Sequence, residues 1–243
     1  MKVVVVNDYQ EGAVKGADII EEIVRANPAC TLGLATGSSP VGMYKELARR
    51  CAEEGLDFSS VHSVNLDEYV GLEGTHDQSY RYFMNTNLFD HINIKKENTY
   101  VARGTGDVNE SLKEFNEVLN RTEIDIQVLG VGPDGHLGFN EPGNTLYDGA
   151  HEEVLDDSTI EANKRFFASK NDVPTHALTM GMGNIMRAGK LLMIISGNKD
   201  EAATKLLLND KIDPMCPCTF MRMHRDATVI IEKALADRIG YKG

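Results

Sequence analysis

Asp134, His136 and Glu141 fall within one short run, GVGPDGHLGFNEP at 130–142, interleaved with Gly130, Gly132 and Gly135. A carboxylate beside an imidazole orients the ring and raises its basicity, and a second carboxylate can do so from the other side. That device suits moving protons on and off hydroxyl oxygens near neutral pH. The same three side chains could also hold a metal ion. The glycines around them and the lack of a second histidine in the run favour acid–base work over a metal site.

Further candidates lie elsewhere in the chain. In Leu66-Asp67-Glu68-Tyr69, two adjacent carboxylates follow a predicted strand, and one of them could act as a general base. The run Ala35-Thr36-Gly37-Ser38-Ser39-Pro40 stands between a predicted strand and a predicted helix. Gly37 permits a tight turn, Thr36, Ser38 and Ser39 supply hydroxyls, and the first amides of the next helix favour an anion. The run has neither the lysine ending of a P-loop nor dinucleotide-binding glycine spacing, and taken alone it reads more readily as a plain turn with a serine helix cap. Two cations complete the set. Arg165 lies in Lys164-Arg165-Phe166-Phe167 and offers a bidentate fork for phosphate, and Lys199 follows a predicted strand as a point charge. On chemistry alone Lys164 serves as well as Arg165.

Positioning these groups requires short β-branched runs alternating with helical spacing. Strands are predicted at 2–6, 31–34, 61–66, 124–129, 177–179, 191–195 and 227–231. Helices are predicted at 12–25, 41–54, 78–88, 112–119, 184–187, 199–207 and 233–239. The alternation implies an α/β fold: a mainly parallel, doubly wound, Rossmann-like sheet with helices on both faces, its ligands bound at the carboxyl ends of the strands. No linker or repeat divides the 243 residues, so one domain spanning 1–243 is expected, with the irregular polar stretch 142–166 as a mobile flap within it.

The formal net charge of −12 argues against nucleic acid or an anionic membrane as partner. No apolar run is long enough to span a bilayer, and MKVVVVNDY reads as a first strand, not a signal peptide. The four cysteines, Cys30, Cys51, Cys216 and Cys218, then read as reduced thiols in a cytoplasmic protein. Cys216-Pro217-Cys218 is too tightly spaced for the usual zinc pairing and has no second pair to complete it.

Taken together, the motifs resemble the glucosamine-6-phosphate deaminase family over nearly the whole chain. The landmarks are ATGSSP at 35–40, LDEYVGL at 66–72, HDQSYRYFM at 76–84, GVGPDGHLGFNEP at 130–142 and KRFF at 164–167. The related 6-phosphogluconolactonases share the glycine-rich loop but usually continue differently, without Phe139-Asn140-Glu141-Pro142. The resemblance implies conversion of glucosamine 6-phosphate to fructose 6-phosphate and ammonia, in amino-sugar catabolism, without metal or organic cofactor. Asp67 would carry the C2 proton to C1. His136 would move the hydroxyl proton during ring opening, flanked and tuned by Asp134 and Glu141. Thr36, Gly37, Ser38, Ser39, Arg165 and Lys199 would hold the phosphate.

Two departures from the family pattern stand out. Ser196 occupies the place of a glycine three residues before Lys199. The stretch after the NEP motif, His151-Glu152-Glu153-Val154, carries carboxylates where allosteric members place basic residues for an N-acetylated sugar phosphate. Carboxylates repel a phosphate, so a non-allosteric monomer or small homo-oligomer is expected in place of a hexamer. The alternatives are a 6-phosphogluconolactonase-type hydrolase, which has no evident need for Asp67 as base, and a sugar-phosphate-binding effector module, which would need a DNA-binding domain that this chain has no room for.

Overall fold

The computed structural model describes residues 1–156, 160, 161, 164, 167, 169 and 172–243. Strands β1 (Lys2–Val6), β2 (Thr31–Leu34), β3 (His62–Asn65), β5 (Thr99–Tyr100), β6 (Ile126–Leu129), β9 (Lys190–Ile195) and β10 (Ala227–Glu232) form one sheet in the order β1-β10-β9-β6-β2-β3-β5, with every neighbouring pair parallel. The inner strands TLGL, IQVL and KLLMII are almost wholly buried. Apolar runs of this kind form where both faces of a parallel sheet are covered.

The flanking helices are α1 (Tyr9–Ala26), α2 (Val41–Glu54), α3 (Tyr80–Met84), α4 (Val108–Arg121), α5 (Met182–Met186), α6 (Asp200–Leu207) and α7 (Lys233–Ile239). In α1 the Asp8 side chain accepts from Glu11 N, and Ala13, Ala17, Ile20 and Val24 turn inward at three- and four-residue intervals. Buried Arg50 of α2 ties the two helices together through Asp18 and Glu21 of α1 and Glu46 of its own helix.

From β2 the chain winds outward to β3 and β5, then returns to β6 on the other side of β2 and continues to β9 and β10. The winding direction therefore reverses between β2 and β6. A crevice opens at the carboxyl ends of the strands at such a reversal, and it is the expected ligand position in an open α/β sheet. The loops leaving β3, β2, β6 and β9, four adjacent strands, all emerge at that edge.

Two expectations need correction. Residues 67–69, expected only to follow a strand, form a short strand of their own, β4 (Asp67–Tyr69). The strand at 176–179, β8 (His176–Thr179), does not join the large sheet. Together with β7 (His151–Val154) they form a separate antiparallel sheet in the order β4-β8-β7, with Asp67 and His151 both opposite Thr179. Part of the stretch expected as a flap is thus a regular strand, while 157–159, 162, 163, 165 and 166 lie outside the described residues. The spacing gave no hint of the second sheet because three- and four-residue strands are too short to show alternation. Backbone bonds join the two sheets: Leu66 N donates to Leu34 O at 3.0 Å, and Met180 N donates to Leu66 O at 2.8 Å.

Candidate active site

Asp67 opens β4 at the point where the chain leaves β3, and its side chain is only 6% exposed. Burial, with the adjacent Glu68 charge adding to it, pushes the Asp67 carboxyl up to about 8, with His136 pulling the other way. The neighbouring carboxylates, equivalent in the sequence, separate here into two tasks. Glu68 accepts backbone N–H groups from Tyr69, Tyr80 and Arg81 at 2.9, 2.9 and 3.0 Å. It caps the first amides of α3 and anchors β4. Burial raises its carboxyl to about 7 against the pull of those amides. Among the described residues no backbone N–H donates to Asp67, which leaves its carboxyl available for chemistry.

The His136 loop leaves β6. Nδ1 of His136 lies 2.8 Å from Asp134 Oδ1 and 3.6 Å from Glu141 Oε2. The 2.8 Å contact with Asp134 is of hydrogen-bond length, and the Glu141 carboxylate acts on the ring through charge. Burial disfavours the imidazolium, but the Asp134 and Glu141 carboxylates outweigh it, and His136 titrates above its ordinary range, with Lys199 opposing. Burial likewise works against the Asp134 carboxylate, yet its contacts with His136 hold it down at about 2. These shifts place the Lys199 charge in the same field as His136.

Glycine at 132 is a steric requirement. A Cβ there would stand 2.2 to 2.6 Å from three atoms of the His136 ring. At Gly138 a Cβ would lie 2.9 Å from Thr179 Oγ1 and 3.2 Å from Asp67 Oδ2, so the loop backbone passes directly over the Asp67 carboxyl. Two side-chain bonds fix that passage. Phe139 N donates to Thr179 Oγ1 at 3.1 Å, and buried Asn140 donates through Nδ2 to Leu137 O and Met180 O at 2.9 and 2.7 Å. Asp67 and His136 therefore share one rigid frame. Asn140 and Thr179 carry no reactive group, and nothing in their local spacing singles them out. Only the pairing of Thr179 with Asp67 across the small sheet explains them.

The 35–40 loop leaves β2 on the other side of the crevice and touches the His136 loop where Ser39 Oγ lies 3.8 Å from the Cβ position of Gly130. Gly37 takes φ +86° at the turn. The alternative of a serine cap does not hold: α2 has Pro40 at its cap and no side-chain cap bond. Among the described residues, the hydroxyls of Thr36, Ser38 and Ser39 take no protein partner. Two tyrosines that the sequence reading passed over brace the loop. Tyr9 donates to Ser38 O and accepts from Gly42 N, both at 2.8 Å, and Tyr44 donates to Ala35 O at 2.6 Å. The result is a preorganised turn at the N-terminus of a fourteen-residue helix, suited to an anion. Lys199 stands at the N-cap position of α6 without a side-chain capping bond, and its loop is tied down by Arg238, which donates to Gly197 O and Asp200. Arg165 lies outside the described residues.

One nitrogen and two oxygens from Asp134, His136 and Glu141 lie within 4.8 Å of one another and could hold a cation. The same geometry serves proton transfer, and chelation separates the two. No helix among the described residues is long and apolar enough to cross a membrane.

A buried, raised carboxyl, a histidine held between carboxylates and a braced turn, all at the carboxyl edge of a doubly wound sheet, give this α/β protein a site equipped for acid–base chemistry. A family model described as glucosamine-6-phosphate isomerases/6-phosphogluconolactonase matches residues 9–230. The chain belongs to that family. It is 50% identical over 238 residues to the glucosamine-6-phosphate deaminase of Clostridium perfringens strain 13, covering 97% of this chain and 98% of the relative. It is 45% identical over 241 residues to the glucosamine-6-phosphate deaminase of Clostridium beijerinckii, covering 98% and 100%. Among solved structures, a monomeric glucosamine-6-phosphate deaminase superposes with a TM-score of 0.93 at 35% identity, over 98% of this chain and 99% of that one. The 6-phosphogluconolactonase of Thermotoga maritima, at 18% identity and a TM-score of 0.74 over 96% and 99%, shares the fold.

Proposed function

We propose that this protein converts glucosamine 6-phosphate and water to fructose 6-phosphate and ammonia. The observation that carries this reading is Asp67, a buried carboxyl raised to about 8 and set under the loop that presents His136. Hydrolysis of a lactone has no evident need for such a base. Removal of a proton from carbon does, and a carboxylate of raised affinity for protons is a stronger base than an ordinary one.

Ring opening comes first, because the C2 proton becomes acidic only beside a carbonyl. His136 takes the proton from the C1 hydroxyl and delivers it to the ring oxygen, with Asp134 and Glu141 stabilising the transient imidazolium. Asp67 then takes the proton from C2 and returns it to C1, while one proton of the substrate's own ammonium passes to O1, leaving an iminium at C2. Water adds to that iminium and ammonia leaves. The phosphate is held by the turn of Thr36, Gly37, Ser38 and Ser39, with Lys199 and Arg165 as cations. This remote anchor fixes C1 and C2 against Asp67. The protein acts in the cytoplasm as a monomer or small homo-oligomer. Among the described residues, β7 offers Glu152 and Glu153 where the allosteric members place cations, so no activation by an N-acetylated sugar phosphate is expected.

The test is product analysis of purified protein with glucosamine 6-phosphate in the presence of a chelator. Equal amounts of ammonia and fructose 6-phosphate are expected. Their absence from folded protein, with hydrolysis of 6-phosphogluconolactone in their place, would overturn the reading.

A further inference from the structure

Cys216 and Cys218 form a pair that the proposed chemistry does not use. Both are completely buried, and their sulfurs stand 3.6 Å apart. A disulfide needs about 2.05 Å, so a closure of about 1.5 Å separates the dithiol from a bond. The pair is pressed against the loop that carries His136. Cys218 N donates to Gly135 O at 2.8 Å. A Cβ on Gly135 would fall 2.3 Å from Cys216 Sγ and 3.2 Å from Cys218 Sγ, so the sulfurs pack on the glycine's own backbone. Gly135 stands between Asp134 and His136. The same segment meets the loop again where Gly143 N donates to Pro214 O at 3.3 Å.

We propose that Cys216 and Cys218 are a reversible dithiol–disulfide pair whose oxidation displaces Gly135, and with it the Asp134–His136 pair, lowering turnover. The oxidant is a hydroperoxide. Cys216 is the attacking sulfur. The Cys218 thiol beside it and the Lys205 charge hold it below the ordinary thiol range, whereas Cys218 is raised. With hydrogen peroxide, the Cys216 thiolate attacks one oxygen, the O–O bond breaks, and a sulfenic acid and hydroxide form. The Cys218 sulfur then attacks Cys216, the S–O bond breaks, and the hydroxyl leaves as water with the Cys218 proton. Two thiols are oxidised to a disulfide and one peroxide is reduced to two waters. A displacement of about 1 Å in a catalytic frame can cost on the order of 10²-fold in rate.

The activity readout rests on the deaminase reading, so a second readout is independent of it. The protein is treated with hydrogen peroxide, quenched, digested with trypsin and mapped. Cleavage after Lys211 and Arg222 releases both cysteines in one peptide, 212–222. The expected result is loss of two hydrogen masses from that peptide, at least tenfold slower ammonia release, and a shifted His136 imidazole resonance, all restored by dithiothreitol. Cys216→Ser and Cys218→Ser should each resist the reversible loss. The mapping on unaltered protein stands even if neither variant folds. A peptide of unchanged mass after oxidation would overturn the proposal, as would a cross-linked peptide with His136 and turnover unaffected. If the protein releases no ammonia at all, the peptide mass and the His136 resonance together decide.

Discussion

Asp67→Asn should make the protein more stable while stopping its chemistry. The unfolded chain carries an ordinary carboxyl at 3.8, and the folded protein carries one at about 8. Because the folded value is raised, the folded state keeps a proton that the unfolded state releases, and stability falls as pH rises between the two values. At pH 7 the gap is about three pH units at about 1.36 kcal/mol each, or up to about 4 kcal/mol of stability withheld. At pH 4.5 it is about 1 kcal/mol. Asparagine has the same shape and no charge to bury, so it removes the penalty. For a chain of this size, 1 kcal/mol moves Tm by roughly 2–4 °C, which puts the variant up to roughly 8–16 °C above the wild type at pH 7. Calorimetric scans of both proteins at pH 4.5 and 7 would show the difference growing with pH. Meanwhile turnover should fall by about 10²–10⁴-fold with substrate still bound. A Tm difference of the same size at both pH values, or a variant less stable at pH 7, would mean that Asp67 ionises like a surface carboxyl. Near-normal turnover would refute it as the base.

Gly132→Ala puts a Cβ within 2.6 Å of the His136 ring, so the imidazole must move. Ammonia release should fall on the order of 10²-fold, while the circular dichroism of the folded protein stays unchanged. The pH profile of kcat/KM should rise toward about 8 as Asp67 ionises. Glu68→Gln removes a charge that raises Asp67, so that limb should move to lower pH. The same change leaves part of the α3 amide cap unmade, a loss of about 1–3 kcal/mol that relief of the raised Glu68 carboxyl offsets at pH 7, so denaturant titrations should show the destabilisation at pH 4.5 and little of it at pH 7. N-acetylglucosamine 6-phosphate added at subsaturating substrate should leave the velocity unchanged, and a several-fold rise would show an activator site on this chain.

The large sheet was legible because its inner strands are continuous apolar runs, and residues 2–6 and 31–34 were read with their observed bounds. Helix α2 followed from its spacing, closed by Gly55 in the left-handed region. The His136 triad was legible because its members lie in one loop, where spacing alone forces them together. The antiparallel sheet was not, because each strand is three or four residues long and its meaning lies in partners far along the chain. For the same reason the sequence left Asp67 and Glu68 interchangeable as chemistry. Only the fold shows that Glu68 is taken up by the amides of Tyr80 and Arg81. Asn140, Thr179, Tyr9 and Tyr44 act through bonds to distant backbone groups, which no local pattern encodes.

The central claim is that Asp67 carries a proton from C2 to C1, and an isotope reports it directly. Glucosamine 6-phosphate deuterated at C2 would be turned over in ordinary water and the fructose 6-phosphate recovered for NMR. A base as shielded as Asp67, 6% exposed, should return part of the label, giving deuterium at C1 together with released ammonia. Fructose 6-phosphate with no deuterium at C1, or no ammonia at all, would contradict the account.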